Sequence, residues 1–153
     1  MTNLDLYAQA EHLLGIAEAT EALYDLYRSE LDELNVTTLL DVGCGRGGFM
    51  LRMICVRVTC KGVDLSSVMV DECLSQGLDA GCIDVSHVDG KYDAIVSIFD
   101  VLNFLDKEEL VKFLDAVSQR LNDDGIFIAD INTRYGFSDV AEGTMSNDTD
   151  DEF

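Results

Sequence analysis

The sequence predicts a doubly wound α/β fold with a mainly parallel sheet, on three observations. Five short apolar runs, at 37–42, 58–63, 80–85, 92–98 and 125–131, each have the length of a buried strand. They are apolar nearly throughout instead of alternating, which is the pattern of strands covered on both faces. Helical patterns at 48–56, 67–76 and 107–121 fill three of the four gaps between them. Right-handed crossovers then place helices on both sides of the sheet.

The elements follow in order. Residues 4–34 read as helix, divided near Gly15. In its second half Leu23, Leu26, Tyr27, Leu31 and Leu34 recur at three- and four-residue spacing and predict one apolar stripe. The last helix opens with Asp106 followed three residues later by Glu109, a capping-box pattern, and Leu110, Phe113, Leu114 and Val117 are its expected inward face. Beyond Gly136 the periodicity fails. Three units are expected: helices at 1–35, an α/β domain at 36–135, and an acidic, irregular tail at 136–153.

Thirty acids against ten bases give a net charge of −20. Residues 1–35 and 139–153 carry −7 and −6 of it, and the middle carries −7. Nucleic acid is therefore excluded as an expected partner, because phosphate binding needs a basic surface. The apolar runs are far too short to cross a bilayer, so no membrane role is expected. Five cysteines without a CxxC pair predict reduced thiols, a cytoplasmic protein and no metal site.

The strongest local signal is Leu39-Leu40-Asp41-Val42-Gly43-Cys44-Gly45-Arg46-Gly47-Gly48, where the first strand turns into a helix. Glycines there let the backbone approach a ligand, and a helix N-terminus presents free N–H groups. Gly43, Gly45 and Gly48 also satisfy G-x-G-x-x-G, so the glycines alone leave a nicotinamide-dependent oxidoreductase open. Asp64 closes the second strand, 21 residues after Gly43, and can accept hydrogen bonds from both hydroxyls of an adenosine ribose. Asp41 discriminates between ligands. A carboxylate two residues before the first glycine repels a pyrophosphate and suits a ligand bearing an ammonium and a sulfonium.

On these residues the sequence resembles the class I S-adenosylmethionine-dependent methyltransferases, of Rossmann-like fold, over about residues 36–135. Asp41 to Gly47 resembles the D/E-x-G-x-G-x-G loop that lies against the methionine part of the cofactor, which places Asp41, Gly43, Cys44 and Gly45 in the site. Asp64 resembles the ribose-binding acid, and Leu65 the residue that packs on the adenine. Cys82-Ile83-Asp84-Val85 resembles the end of the third strand, where Asp84 meets the adenine amino group and the Val85 N–H a ring nitrogen. Tyr92-Asp93-Ala94-Ile95-Val96-Ser97 resembles the fourth strand, whose end opens on the reacting methyl. There a carbonyl near Ser97 is expected to hold the ammonium, with Phe99 and Asp100 beside the methyl. Asp93 lies at the opposite end and is expected to be structural.

The resemblance implies a methyl donor, S-adenosylmethionine, and a small-molecule or protein acceptor, with the N-terminal helices capping the site. A non-catalytic cofactor-binding module is the alternative. No catalytic residue is assigned: Asn103 and Phe104 join the candidates after the fourth strand, His87 is a poor base, and His12 lines the pocket only if the N-terminal helices fold over it. Family members continue past the fifth strand, so the chain is expected to be an N-terminal piece lacking the last strands. An exposed fifth-strand edge then predicts self-association.

Overall fold

The computed structural model describes residues 17–134. The expected first N-terminal helix, His12 and the 136–153 tail lie outside the described residues. The elements run α1 (Ala17–Glu33), β1 (Thr38–Val42), α2 (Gly48–Cys55), β2 (Thr59–Val63), α3 (Ser67–Ser75), β3 (Ala80–Gly81), β4 (Tyr92–Ser97), α4 (Lys107–Arg120) and β5 (Leu121–Ala129). Two 3-10 turns, Val85–His87 and Val101–Phe104, follow β3 and β4.

The five strands form one sheet in the order β3-β2-β1-β4-β5, and every pairing is parallel. The chain steps outward from β1 to β3, then crosses back to β4. That reversal puts a crevice at the C-terminal ends of β1 and β4, where a doubly wound sheet receives its ligand.

Leu39 and Leu40, both fully buried, show the alternation that builds the two layers. Leu39 packs with Tyr27, Leu31, Phe49, Met50 and Met53 on one face. Leu40 packs with Val85, Ile95, Phe113 and Val117 on the other. Asp41 has the parity of Leu39. It therefore faces the α1 and α2 side, where it is 2% exposed.

α1 lies on α2 through aromatic edges: the Tyr24 and Tyr27 rings stand 5.4 and 6.1 Å from Phe49. Arg52 of α2 grips the same helix by ion pairs to Glu21 and Asp25 and by its guanidinium, 5.5 Å from the Tyr24 ring centre. At the opposite end of the sheet, Asp93 accepts from Thr37 N and Oγ1, Thr38 N and Asn122 Nδ2. These bonds tie three strand starts together and hold its carboxyl well below the usual range.

Several boundaries differ from the sequence reading. The α1 stripe is narrower: Tyr27 and Leu31 are buried, but Leu26 lies to one side of that face and Leu34 follows the last turn, so both are exposed. The inward face of α4 is rotated so that Ala116 points in and Leu114 out, because Phe113 leans on Phe127 at 6.1 Å. The capping box is formed as expected. β3 stops at Gly81 instead of reaching 85, since Asp84 turns the chain by accepting from the Ser86 N–H. β5 starts earlier, at Leu121, but its continuous pairing with β4 begins at Ile126 and ends at Ala129.

Candidate functional site

A cavity of about 440 Å³ opens over the C-terminal ends of the strands. Of the residues expected there, Asp41, Gly43, Cys44, Gly45, Asp64, Leu65, Asp84, Val85 and Phe99 line it. The sheet order explains their sequence along the wall. Asp84 and Val85 follow β3, Asp64 and Leu65 follow β2, the glycine loop follows β1, and Phe99 follows β4. Four segments separated in sequence thus meet as one row because neighbouring parallel strands end at the same edge.

The glycine loop is shaped by close approach. Gly43 has φ +79°, and a Cβ there would lie 2.5 Å from Val101 Cγ2. Its N–H and that of Cys44 both donate to the Val63 carbonyl, at 2.8 and 3.1 Å. Gly62 on β2 supplies the space beneath: a Cβ would meet Met50 Sδ at 2.5 Å and Cys44 Sγ at 2.7 Å. The side chain of Cys44 packs inward, 6% exposed, and burial pushes its thiol well above the ordinary range. It therefore fills the loop and is no nucleophile.

Asp64 holds this loop to β2. Its Oδ2 accepts from Gly45 N at 3.0 Å and its Oδ1 from Ser66 N at 2.8 Å. A carboxylate has about four lone-pair positions. Both oxygens can then accept from a ribose hydroxyl as well. Leu65 beside it is 58% exposed, an apolar surface fit for the face of a base. Asp84 caps the 3-10 turn, accepting from Ser86 Oγ and N, and the Ser86 bond holds its carboxyl below the usual range.

Asp41 is the site's electrostatic centre. Burial, reinforced by the nearby Asp64 carboxylate, pushes its pKa up to about 7. A buried carboxylate on a cavity wall with a raised pKa is a group that lacks a cation. An ammonium and a sulfonium meet that demand, and a pyrophosphate worsens it.

Other expected groups are placed elsewhere. Ser97 is fully buried, is not among the lining residues, and its Oγ donates to the Val42 carbonyl at 2.9 Å, a bond between β4 and β1. Asp100 is also outside the lining, next to Phe99. Asn103 exchanges two hydrogen bonds with the backbone of Asn132, so its amide joins two loops. Phe104 lines the mouth, 64% exposed. His87 lies on the 3-10 turn outside the lining, exposed to solvent. Among the described residues no group of three or more His, Cys, Asp or Glu side chains could hold a metal ion.

The sequence reading gave no site role to Gly62, Val101, Asp130, Thr20 or Glu21; of the residues around the site, Val101 and Thr20, Glu21 and Tyr24 of α1 line the cavity. Asp130 carried a legible signal: like Asp64, it is an acid directly after an apolar strand segment, at the ligand end of the sheet.

A family model described as a methyltransferase domain matches residues 39–125, more than half of the chain. The chain belongs to the class I S-adenosylmethionine-dependent methyltransferase family. It is similar to a S-adenosylmethionine-dependent methyltransferase structure from Clostridium acetobutylicum, with 30% identity and a TM-score of 0.73 over 96% of this chain and 66% of that one. A Bacillus subtilis (strain 168) protein carrying the methyltransferase name YqeM is 24% identical over 123 residues, 74% of this chain and 50% of its own length. The fold is shared with S-adenosylmethionine-bound CalS10 of Micromonospora echinaspora, with 24% identity and a TM-score of 0.65 over 84% of this chain and 56% of that one. This methyltransferase-family chain thus spans about half the length of the Bacillus relative. The family's cofactor, S-adenosylmethionine, fits the residues present: a buried acid for its cationic end, a glycine loop open above Gly45, and a carboxylate with spare acceptor capacity for the ribose.

Among the described residues no helix is long and apolar enough to cross a membrane.

Proposed function

We propose that this chain carries the cofactor-binding part of a methyltransferase that moves a methyl group in line from S-adenosylmethionine to a small molecule or to a group on a protein. The observation that carries the reading is buried Asp41, with its pKa raised to about 7, beside a glycine loop at the switch point of the sheet. Bound S-adenosylmethionine supplies an electrophilic methyl on a sulfonium. The chain's residues bind and orient it: Asp41 and the 43–45 loop at the methionine end, Asp64 at the ribose, and Leu65, Asp84 and Val85 at the adenine. A carbonyl beside Ser97 serves the ammonium, with Phe99 and Asp100 toward the methyl. Phe99 and Tyr24, whose rings meet edge-on, line the cavity, and orientation and desolvation carry the rate in this reading. Residues 36–135 form the cofactor unit in this reading, with the N-terminal helices as its cap.

The compartment proposed is the cytoplasm, supported by five free cysteines, three of them buried. Self-association along β5 is part of the same reading, supported by β5 pairing on one side only among the described residues.

The test is calorimetry of the chain with S-adenosylhomocysteine and with NAD, followed by transfer of a labelled methyl into extract metabolites and proteins. Binding of S-adenosylhomocysteine alone and label in an acceptor are expected. Heat only with NAD would overturn the reading, and binding without any labelled product would favour a non-catalytic module.

A further inference from the structure

Asp130, one residue past β5, makes an unusual set of contacts. Its Oδ1 accepts from the Phe99 N–H at 2.9 Å and its Oδ2 from the Asp100 N–H at 3.0 Å. Oδ1 also accepts from the Tyr27 hydroxyl of α1 at 3.1 Å. The two backbone donors belong to the turn after β4, where Phe99 and Asp100 both adopt left-handed conformations, φ +65° and +59°. Consecutive left-handed residues other than glycine are rare and persist only where their surroundings impose them. Two successive N–H groups converging on one carboxylate form an anion-binding concavity, here filled from within the chain.

The turn matters because of where the sheet puts it. β4 lies on the opposite side of β1 from β2 and β3, so the turn borders the methionine half of the cavity and is remote from Asp64 and Asp84. Val101, directly after it, is the side chain that a Cβ on Gly43 would strike. The Phe99 ring stands 6.0 Å from Tyr24 on α1, in an edge-on arrangement. One carboxylate thus fixes the turn beside the glycine loop and, through Tyr27, the helix above it.

We infer that Asp130 is a positioning residue for methyl transfer: it holds the turn after β4 in the left-handed shape that completes the methionine end of the cofactor site, and ties α1 to that end. The inference rests on the methyltransferase reading. It assigns Asp130 no contact with the cofactor, and it predicts an effect confined to one half of the ligand.

The experiment compares two probes by calorimetry. S-adenosylhomocysteine has the amino-acid end, and 5′-methylthioadenosine keeps the adenosine but lacks that end. In Asp130→Ala, S-adenosylhomocysteine is expected to bind at least tenfold more weakly, with 5′-methylthioadenosine within twofold of wild type. Asp130→Asn keeps one acceptor oxygen and should recover part of the loss. Tyr27→Phe removes only the helix tether and should lose less than either. A general role in folding moves both probes together, so equal losses, or none, overturn the inference. If circular dichroism shows Asp130→Ala unfolded, Asp130→Asn and Tyr27→Phe give the same comparison. A wild-type chain that binds neither probe refutes the methyltransferase reading itself, an outcome distinct from wild-type binding with no selectivity in the variants.

Discussion

Asp41 makes a prediction in which stability and binding move in opposite directions. Its pKa rises from 3.8 to about 7 in the folded, ligand-free chain, chiefly through burial and secondarily through Asp64. Each decade of such a difference corresponds to about 1.4 kcal/mol between the two protonation states. Roughly three decades correspond to about 4 kcal/mol. The native state holds the proton more tightly than the unfolded chain does. The resulting stability is fully present below about pH 4 and is lost as pH rises through about 7. At pH 8 the ligand-free fold therefore carries a desolvated charge that Asp41→Asn removes.

Thermal unfolding of wild type and Asp41→Asn at pH 5 and pH 8 reads this directly. The variant should gain on wild type by about 2–4 kcal/mol at pH 8, which for a chain of this size is on the order of 5–15 °C in Tm. At pH 5 the gain should shrink. Binding should show the reverse. S-adenosylmethionine favours the ionised form, so its affinity for wild type should climb with pH toward 7, with release of up to one proton, and level off above. Asp41→Asn should bind more weakly at pH 8 and without that slope. A variant with the wild-type pH dependence in both Tm and affinity would refute the argument that a buried, cation-seeking carboxylate sits at this position.

Asp64→Ala should weaken S-adenosylhomocysteine binding at least tenfold in calorimetry, because it removes ribose acceptors and releases the Gly45 N–H that shapes the loop; unchanged affinity would refute the ribose role. The same substitution should move the pH midpoint of Asp41 downward, since Asp64 helps raise it. Gly62→Ala should lower stability by about 1–3 kcal/mol, the range for overpacking, and weaken the cofactor together with it because the displaced atoms include Cys44 Sγ; an unchanged melting curve would contradict the 2.5 Å approach to Met50. Asp93→Ala should cost about 1–2 kcal/mol in urea unfolding without altering cofactor affinity, as its bonds lie at the far end of the sheet. The depressed Asp93 pKa makes that contribution present above about pH 4 and lost as pH falls through its native value, so wild type and variant should converge in acid.

The fold was legible because its signals are local and repeated. An apolar run between turn residues has few alternatives once helical patterns separate it from the next run. Asp41, the glycines and Asp64 were legible because strand ends in a parallel sheet share one edge, so position along the chain converts directly into position around the cavity. The third strand was misread for the opposite reason. Its residues have strand composition, but Asp84 captures the Ser86 N–H two residues on and turns the chain where, among the described residues, only β2 pairs with it. Ser97 was placed by analogy to a backbone carbonyl, and nothing in its identity revealed that its hydroxyl points to Val42.

The roles of Gly62 and Asp130 are pairwise, which is why they were harder to read. A glycine in mid-strand carries no signal until Met50 and Cys44 are brought against it by α2 and the loop. An acid after a strand is ambiguous between ligand contact and internal support. Asp64 and Asp130 occupy equivalent positions at the ends of β2 and β5, and both accept successive or nearby backbone N–H groups. The cavity separates them. Asp64 lines it and keeps acceptor capacity for a ribose, whereas Asp130 lies behind the turn and spends its oxygens on Phe99, Asp100 and Tyr27. The two carboxylates thus serve the same site from opposite sides of β1, one facing the ligand and the other the backbone that faces it.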